Sequence, residues 1–200
     1  MGTERIFRGV LIALGLLVAG VALADKPFVK VPGSTAPVSL KVAGYQGGTN
    51  GELTVEVRND GNQATDFDAQ GLYFVPTGDP DQAPQRLGAV GPFQQKGQRG
   101  WERKRTLSLA PGASATIKLD VYCIDSHRRS PTTGDHFKMA RDRMPKTLST
   151  DIYKSADRAA DRVGGYAAPA AKSSVQSEVW KNRDKKWIKL DGEGKQELTK

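Results

Sequence analysis

The run Ala115-Thr116-Ile117-Lys118-Leu119-Asp120-Val121-Tyr122-Cys123 constrains this chain most. Successive side chains of a strand point to opposite faces, so Ala115, Ile117, Leu119, Val121 and Cys123 share one face. Burying that face requires a sheet. Val38-Ser39-Leu40-Lys41-Val42 and Leu53-Thr54-Val55-Glu56-Val57-Arg58 alternate in the same way. Phe67–Val75 reads as a further strand ending at Pro76. Trp101–Leu109 begins as a charged strand and turns apolar at Leu107 and Leu109. Asn59-Asp60-Gly61-Asn62 and Ala110-Pro111-Gly112 supply turns, because Asn, Asp and Gly tolerate positive φ and Pro fixes a negative φ suited to turns. Leu87–Gln98, broken by Gly88, Gly91, Pro92 and Gly97, reads as irregular. Short alternating strands at such spacing predict a mainly β chain, an antiparallel β-sandwich.

The C-terminal part follows another period. Leu148, Ile152, Ala156, Ala159 and Val163 form an apolar helical stripe, with Asp157, Arg158, Asp161 and Arg162 on its solvated side. Ser, Thr and Asp residues are at hand as N-caps, and Gly164-Gly165 can close the helix. A second helix fits Pro169 to about Asn182, with Ala168, Ala171, Val175 and Val179 as its stripe. Trp187-Ile188-Lys189-Leu190 has the makings of one short strand. Alanine-rich helices bury little each, so they are expected to pack on the sandwich. The organisation predicted is an extended leader over 25–37, a β-sandwich over 38–125, and a Cys/His loop with a helical tail over 126–200.

Two stretches of the sandwich resemble a known class of domain. Leu53-Thr54-Val55-Glu56-Val57-Arg58-Asn59-Asp60-Gly61-Asn62 ends a strand in Asn-x-Gly. Leu109-Ala110-Pro111-Gly112-Ala113-Ser114-Ala115-Thr116-Ile117 passes through Leu-x-Pro-Gly into another strand. Both look like bacterial immunoglobulin-like domains of the cell-adhesion-related (CARDB-like) kind. That resemblance implies an immunoglobulin-like sandwich and leaves the function open.

The first residues set an expectation of export. Arg5 and Arg8 precede the apolar run Val10–Ala22, and Ala22-Leu23-Ala24 is a small-x-small site, giving a secretory signal peptide over 1–24 cleaved after Ala24. With no second apolar run of spanning length, no transmembrane segment is expected after cleavage. Lys and Arg exceed Asp and Glu, for a net charge of +8 at pH 7. A basic exported chain suits a protein or glycan of the envelope or extracellular space, and nucleic acid is not an expected partner. A secreted or periplasmic location follows.

The single cysteine rules out an intrachain disulfide, so the domain must rely on its core. Cys123, His127, His136 and Met139 lie close in sequence. With Asp125 or Asp135, Cys123, His127 and His136 form a candidate metal set. A copper site of the cupredoxin type would also need an upstream histidine, and none precedes Cys123. The spacing matches no common structural zinc pattern. A cysteine nucleophile with His127 as base is the hydrolytic version of the same loop. No small-molecule cofactor is expected.

Tyr122-Cys123-Ile124-Asp125 also resembles the cysteine motif of thioester domains of bacterial surface adhesins. Those domains pair it with a motif resembling Thr-Gln-x-Ala-x-Trp. This chain has Val175-Gln176-Ser177-Glu178-Val179-Trp180, with Gln and Trp in register and Val175 and Glu178 replacing Thr and Ala. The resemblance implies an internal thioester between Cys123 and Gln176, formed with loss of ammonia and shielded by Trp180. The competing expectation is a core cysteine continuing the face of Ile117, Leu119 and Val121. Two tryptophans lie among cations: Trp101 with Lys96, Arg99, Arg103, Lys104 and Arg105, and Trp187 with Lys181, Arg183, Lys185, Lys186 and Lys189. They are the candidate binding residues. The main expectation is thus a non-catalytic interaction or structural module. A covalent adhesin-like module and a Cys/His-loop site are the alternatives.

Overall fold

The computed structural model describes residues 27–48 and 51–194. The export segment expected over 1–24 lies outside them. In chain order the elements are β1 (Val29–Lys30), β2 (Val38–Gln46), β3 (Glu52–Asn59), β4 (Thr65–Asp68), β5 (Tyr73–Pro76), β6 (Leu87–Ala89), β7 (Phe93–Gly97), β8 (Gly100–Lys104), β9 (Thr106–Leu109), β10 (Ser114–Cys123), β11 (Phe137–Met139), α1 (Lys146–Asp161) and α2 (Ala171–Lys185).

The chain is mainly β, antiparallel, with two C-terminal helices. The main sheet runs β1-β2-β3-β10-β6-β5-β11, and the β7–β8 hairpin branches from β10. Tyr45 of β2 meets Phe137 of β11 edge to face at 5.0 Å, which brings the far end of the sheet back and nearly closes it. The small β4–β9 sheet contributes Phe67, Leu107 and Leu109 to the same core.

β10 is the organising strand. Along one edge it pairs with β3 from Ser114 to Asp120; along the other it pairs with β7 and then β6. Ile117, Leu119, Val121 and Cys123 enter the inner core, as their alternation dictates. Tyr122 and Ile124 point the other way, into a second core shared with α1 and α2. Leu148, Ile152, Ala156, Ala159, Val175 and Val179 fill that layer. The small alanines let the helices approach closely, and the apolar area removed from water supplies the driving force.

Asn59 joins the turn after β3 to the turn that leads into β10. Its fully buried side chain donates to the Leu109 carbonyl at 3.1 Å and the Ala110 carbonyl at 3.1 Å, and accepts from Gly61 N–H at 2.9 Å. The Asn-x-Gly turn and the Leu-x-Pro-Gly turn are therefore one tied corner. Asparagine is needed because the position demands a donor and an acceptor at once.

Several local expectations change. The stretch 87–98 is not irregular, since it supplies β6 and β7. The tertiary partner β10 recruits strands from a sequence that glycines make ambiguous. Phe67–Val75 is two strands, because Gly71 turns the chain at φ +78° between β4 and β5. Trp101–Leu109 likewise divides into β8 and β9. Trp187–Leu190 forms no strand. Helix α1 starts after Pro145 without a side-chain cap, so the available Ser, Thr and Asp do not serve. It ends as the glycines suggested, with Gly165 N–H donating to the Ala160 carbonyl at 2.8 Å. Val163 lies past that end.

Candidate functional site

The main-chain groups of β10 alternate in direction past Asp120. Ile124 N–H donates to the Arg86 carbonyl at 3.0 Å, toward β6. Val121 N–H donates to the Gly51 carbonyl at 3.2 Å, toward β3. Cys123 is the next residue to face the β3 side, but β3 has ended there. Its N–H and C=O would be orphaned in the interior, and a buried group without a partner costs roughly 1–3 kcal/mol.

Gln176 takes the place of the missing strand. Its Oε1 accepts from Cys123 N–H at 3.0 Å, and its Nε2 donates to the Cys123 carbonyl at 2.7 Å. A primary amide offers the same donor and acceptor as a peptide unit, so it continues the ladder by one rung. Lys172, Gln176 and Trp180 sit at i, i+4 and i+8 on one face of α2. Lys172 Nζ reaches Asp120 Oδ1 at 2.9 Å, and Trp180 Nε1 donates to Gln85 Oε1 at 3.0 Å. Gln176 thereby closes the open edge of β10, while Lys172 and Trp180 fasten the same helix to Asp120 and to Gln85, ahead of β6. Gln176 bonds the Cys123 main chain, and Trp180, on the same helix face, packs against the core that holds Cys123.

The thiol itself is held in its neutral form. Burial, and then the negative charge of Asp125, push Cys123 up to about 12. Beneath this seam lies an ion cluster that sequence reasoning missed. Arg86 Nε and Nη2 bind the two Asp125 oxygens at 2.7 and 2.6 Å, and Arg86 N–H adds a third bond at 3.1 Å. Arg86 Nη1 then donates to the carbonyls of Leu190, at 3.3 Å, and Asp191, at 2.9 Å, tying down the chain after α2. Burial alone would raise the Asp125 carboxyl, but the Arg86 guanidinium holds it below its ordinary value. Arg183 stands behind, its Nε 3.9 Å from Asp125 Oδ1, and burial lowers its pKa. No local pattern marks Arg86 as interior, since its partner lies 39 residues away.

The Cys/His loop does not assemble a metal site. Among the described residues no three Cys, His, Asp or Glu side chains converge. His127 packs beside Trp187, with ring centroids 5.9 Å apart, while His136 is exposed and offers its main-chain carbonyl to Thr77. Asp135 is engaged by Arg129 at 2.7 and 2.9 Å, which with the Thr132 bonds lowers it to about 2. The loop is held by these ion and turn contacts.

Both candidate tryptophans reach the surface. Trp187 is 41% exposed and lies over the Arg183 guanidinium at 4.3 Å. Trp101 is 43% exposed, with Lys118 Nζ 4.6 Å from its ring centre. Trp101 pairs with Lys96 across the β7–β8 hairpin, whose turn carries Arg99. Arg103 is drawn to Asp120, Arg105 to Asp157 at 2.8 Å, and Lys104 to Glu102 at 3.7 Å. Lys96 and Arg99 make no ion pair among the described residues. No helix of the described residues is long and apolar enough to cross a membrane.

No family model matches the chain, and no curated protein or solved structure matches it either.

Proposed function

We propose that this chain is an exported, non-catalytic interaction module of the cell envelope or extracellular space, built on an immunoglobulin-like sandwich. The observation that carries the proposal is the β7–β8 hairpin. It presents the half-exposed Trp101 beside two cations, Lys96 and Arg99, that make no ion pair among the described residues. An aromatic face next to unspent positive charge suits an anionic partner. The test is salt-dependent retention on polyglutamate and heparin resins. The double variant Lys96→Glu/Arg99→Glu elutes at clearly lower salt than Lys154→Glu/Lys185→Glu, a charge-matched change on the helices. Equal elution of the two would refute the hairpin as the contact surface.

A second reading keeps Cys123 and Gln176 as partners in a covalent bond. It is supported by their contact, with the amide 3.0 and 2.7 Å from the Cys123 main chain. Forming the thioester would require the thiol to lose its proton and attack the Gln176 amide carbon, with ammonia leaving. Intact mass decides it: a deficit of about 17 Da that vanishes in Cys123→Ala supports the bond. An unmodified mass leaves Gln176 as a main-chain clamp.

A further inference from the structure

β8 is an open edge. It pairs with β7 alone, and among the described residues no strand lies on its other side. Gly100, Trp101, Glu102 and Lys104 are exposed and Arg103 is half-buried, so the edge is bare along its length. Such an edge presents a row of N–H and C=O groups ready to pair with another chain. The other ends of the main sheet are shorter, two residues in β1 and three in β11.

The side chains along this edge select the occupant. Arg103, Arg105 and Lys104 are held by Asp120, Asp157 and Glu102, which leaves Lys96 and Arg99 as the cations of this hairpin without an ion pair among the described residues. A second copy of this chain would set like charges against each other, which opposes pairing of one β8 with another. A chain of opposite sign gains on both counts. A polysaccharide or a lipid headgroup could answer the charge, but neither supplies the alternating donors and acceptors that the strand edge leaves open.

We propose that β8 is the docking edge for an acidic, extended polypeptide segment, which adds to the sheet as one more strand beside Trp101. This rests on the hairpin being the contact surface and names its partner class. The backbone ladder supplies affinity, Lys96 and Arg99 supply the preference for acid, and Trp101 packs on an apolar side chain of the guest.

The experiment uses capped octapeptides and amide chemical shifts of the full isotope-labelled chain. An octapeptide alternating glutamate and valine shifts the amides of Gly100–Lys104 and saturates. The same peptide with lysine for glutamate binds at least tenfold more weakly. So does the acidic peptide with N-methylated peptide bonds, which keeps its charge and loses its donors. Equal binding of the methylated peptide, shifts confined to other regions, or no binding at millimolar peptide overturns the proposal. Heparin shifting the hairpin while the peptide does not leaves the contact surface standing and removes the strand edge. Neither probe moving these amides removes both.

Discussion

Two strand edges in this molecule meet opposite fates. At the end of β10 the edge is buried and closed, because Gln176 supplies the rung that β3 lacks. At β8 the edge is bare and flanked by cations and an exposed tryptophan. The closed edge stands over the Arg86–Asp125 pair and beside the α2 helix, so polar groups there must be satisfied internally. The open edge faces water, which satisfies its groups at no cost until a partner displaces it. The contrast separates residues that maintain the fold from residues available for recognition.

The largest expected effect lies beneath the closed edge. Asp125→Ala leaves Arg86 and Arg183 buried without their carboxylate and costs about 3–5 kcal/mol of unfolding free energy, measured by guanidinium denaturation. Stability near that of the wild type would mean that Arg86 is held by its carbonyl partners alone. Gln176→Ala comes next, at roughly 2–4 kcal/mol for two orphaned main-chain groups. A loss under half a kcal/mol would show that the edge is closed in some other way.

The buried thiol gives a pH signature. Below about pH 9 the proton is bound in both folded and unfolded chains, and stability does not depend on it. Between that point and about 12, where the folded thiol ionises, the unfolded chain releases the proton first. Stability therefore falls as pH rises, by about 1.4 kcal/mol per pH unit at most. The buried tyrosines, also raised, add to the decline, so the thiol's share is the difference in slope between wild type and Cys123→Ala. Parallel slopes would place Cys123 in water. The smallest effect belongs to the open edge: Trp101→Ala changes stability by less than about 1 kcal/mol, while weakening acidic-peptide binding severalfold. A large destabilisation would make Trp101 a structural residue and erase the contrast.

Period-two runs foretold β2, β3 and β10, because each buries one face and nothing else explains the alternation. The stripe from Leu148 to Ala159 foretold α1 for the same reason. β6 and β7 were not legible, since glycines blur the pattern and pairing with β10 decides it. The association of Cys123 with Gln176 was visible through their motifs, yet its form was not: spacing along a helix cannot reveal that an amide meets a main chain. Arg86 and Arg183 were invisible, because burial of a charge depends on a distant carboxylate rather than on neighbouring residues.

Native-state hydrogen exchange of the backbone amides tests the central contrast most directly. The account predicts that Cys123 N–H is protected as strongly as Val121 N–H in the wild type. In Gln176→Ala it loses that protection while Val121 keeps its own, and outward-facing β8 amides exchange rapidly in both proteins. Rapid exchange of Cys123 in the wild type, or undiminished protection in the variant, would contradict the claim that Gln176 closes this edge.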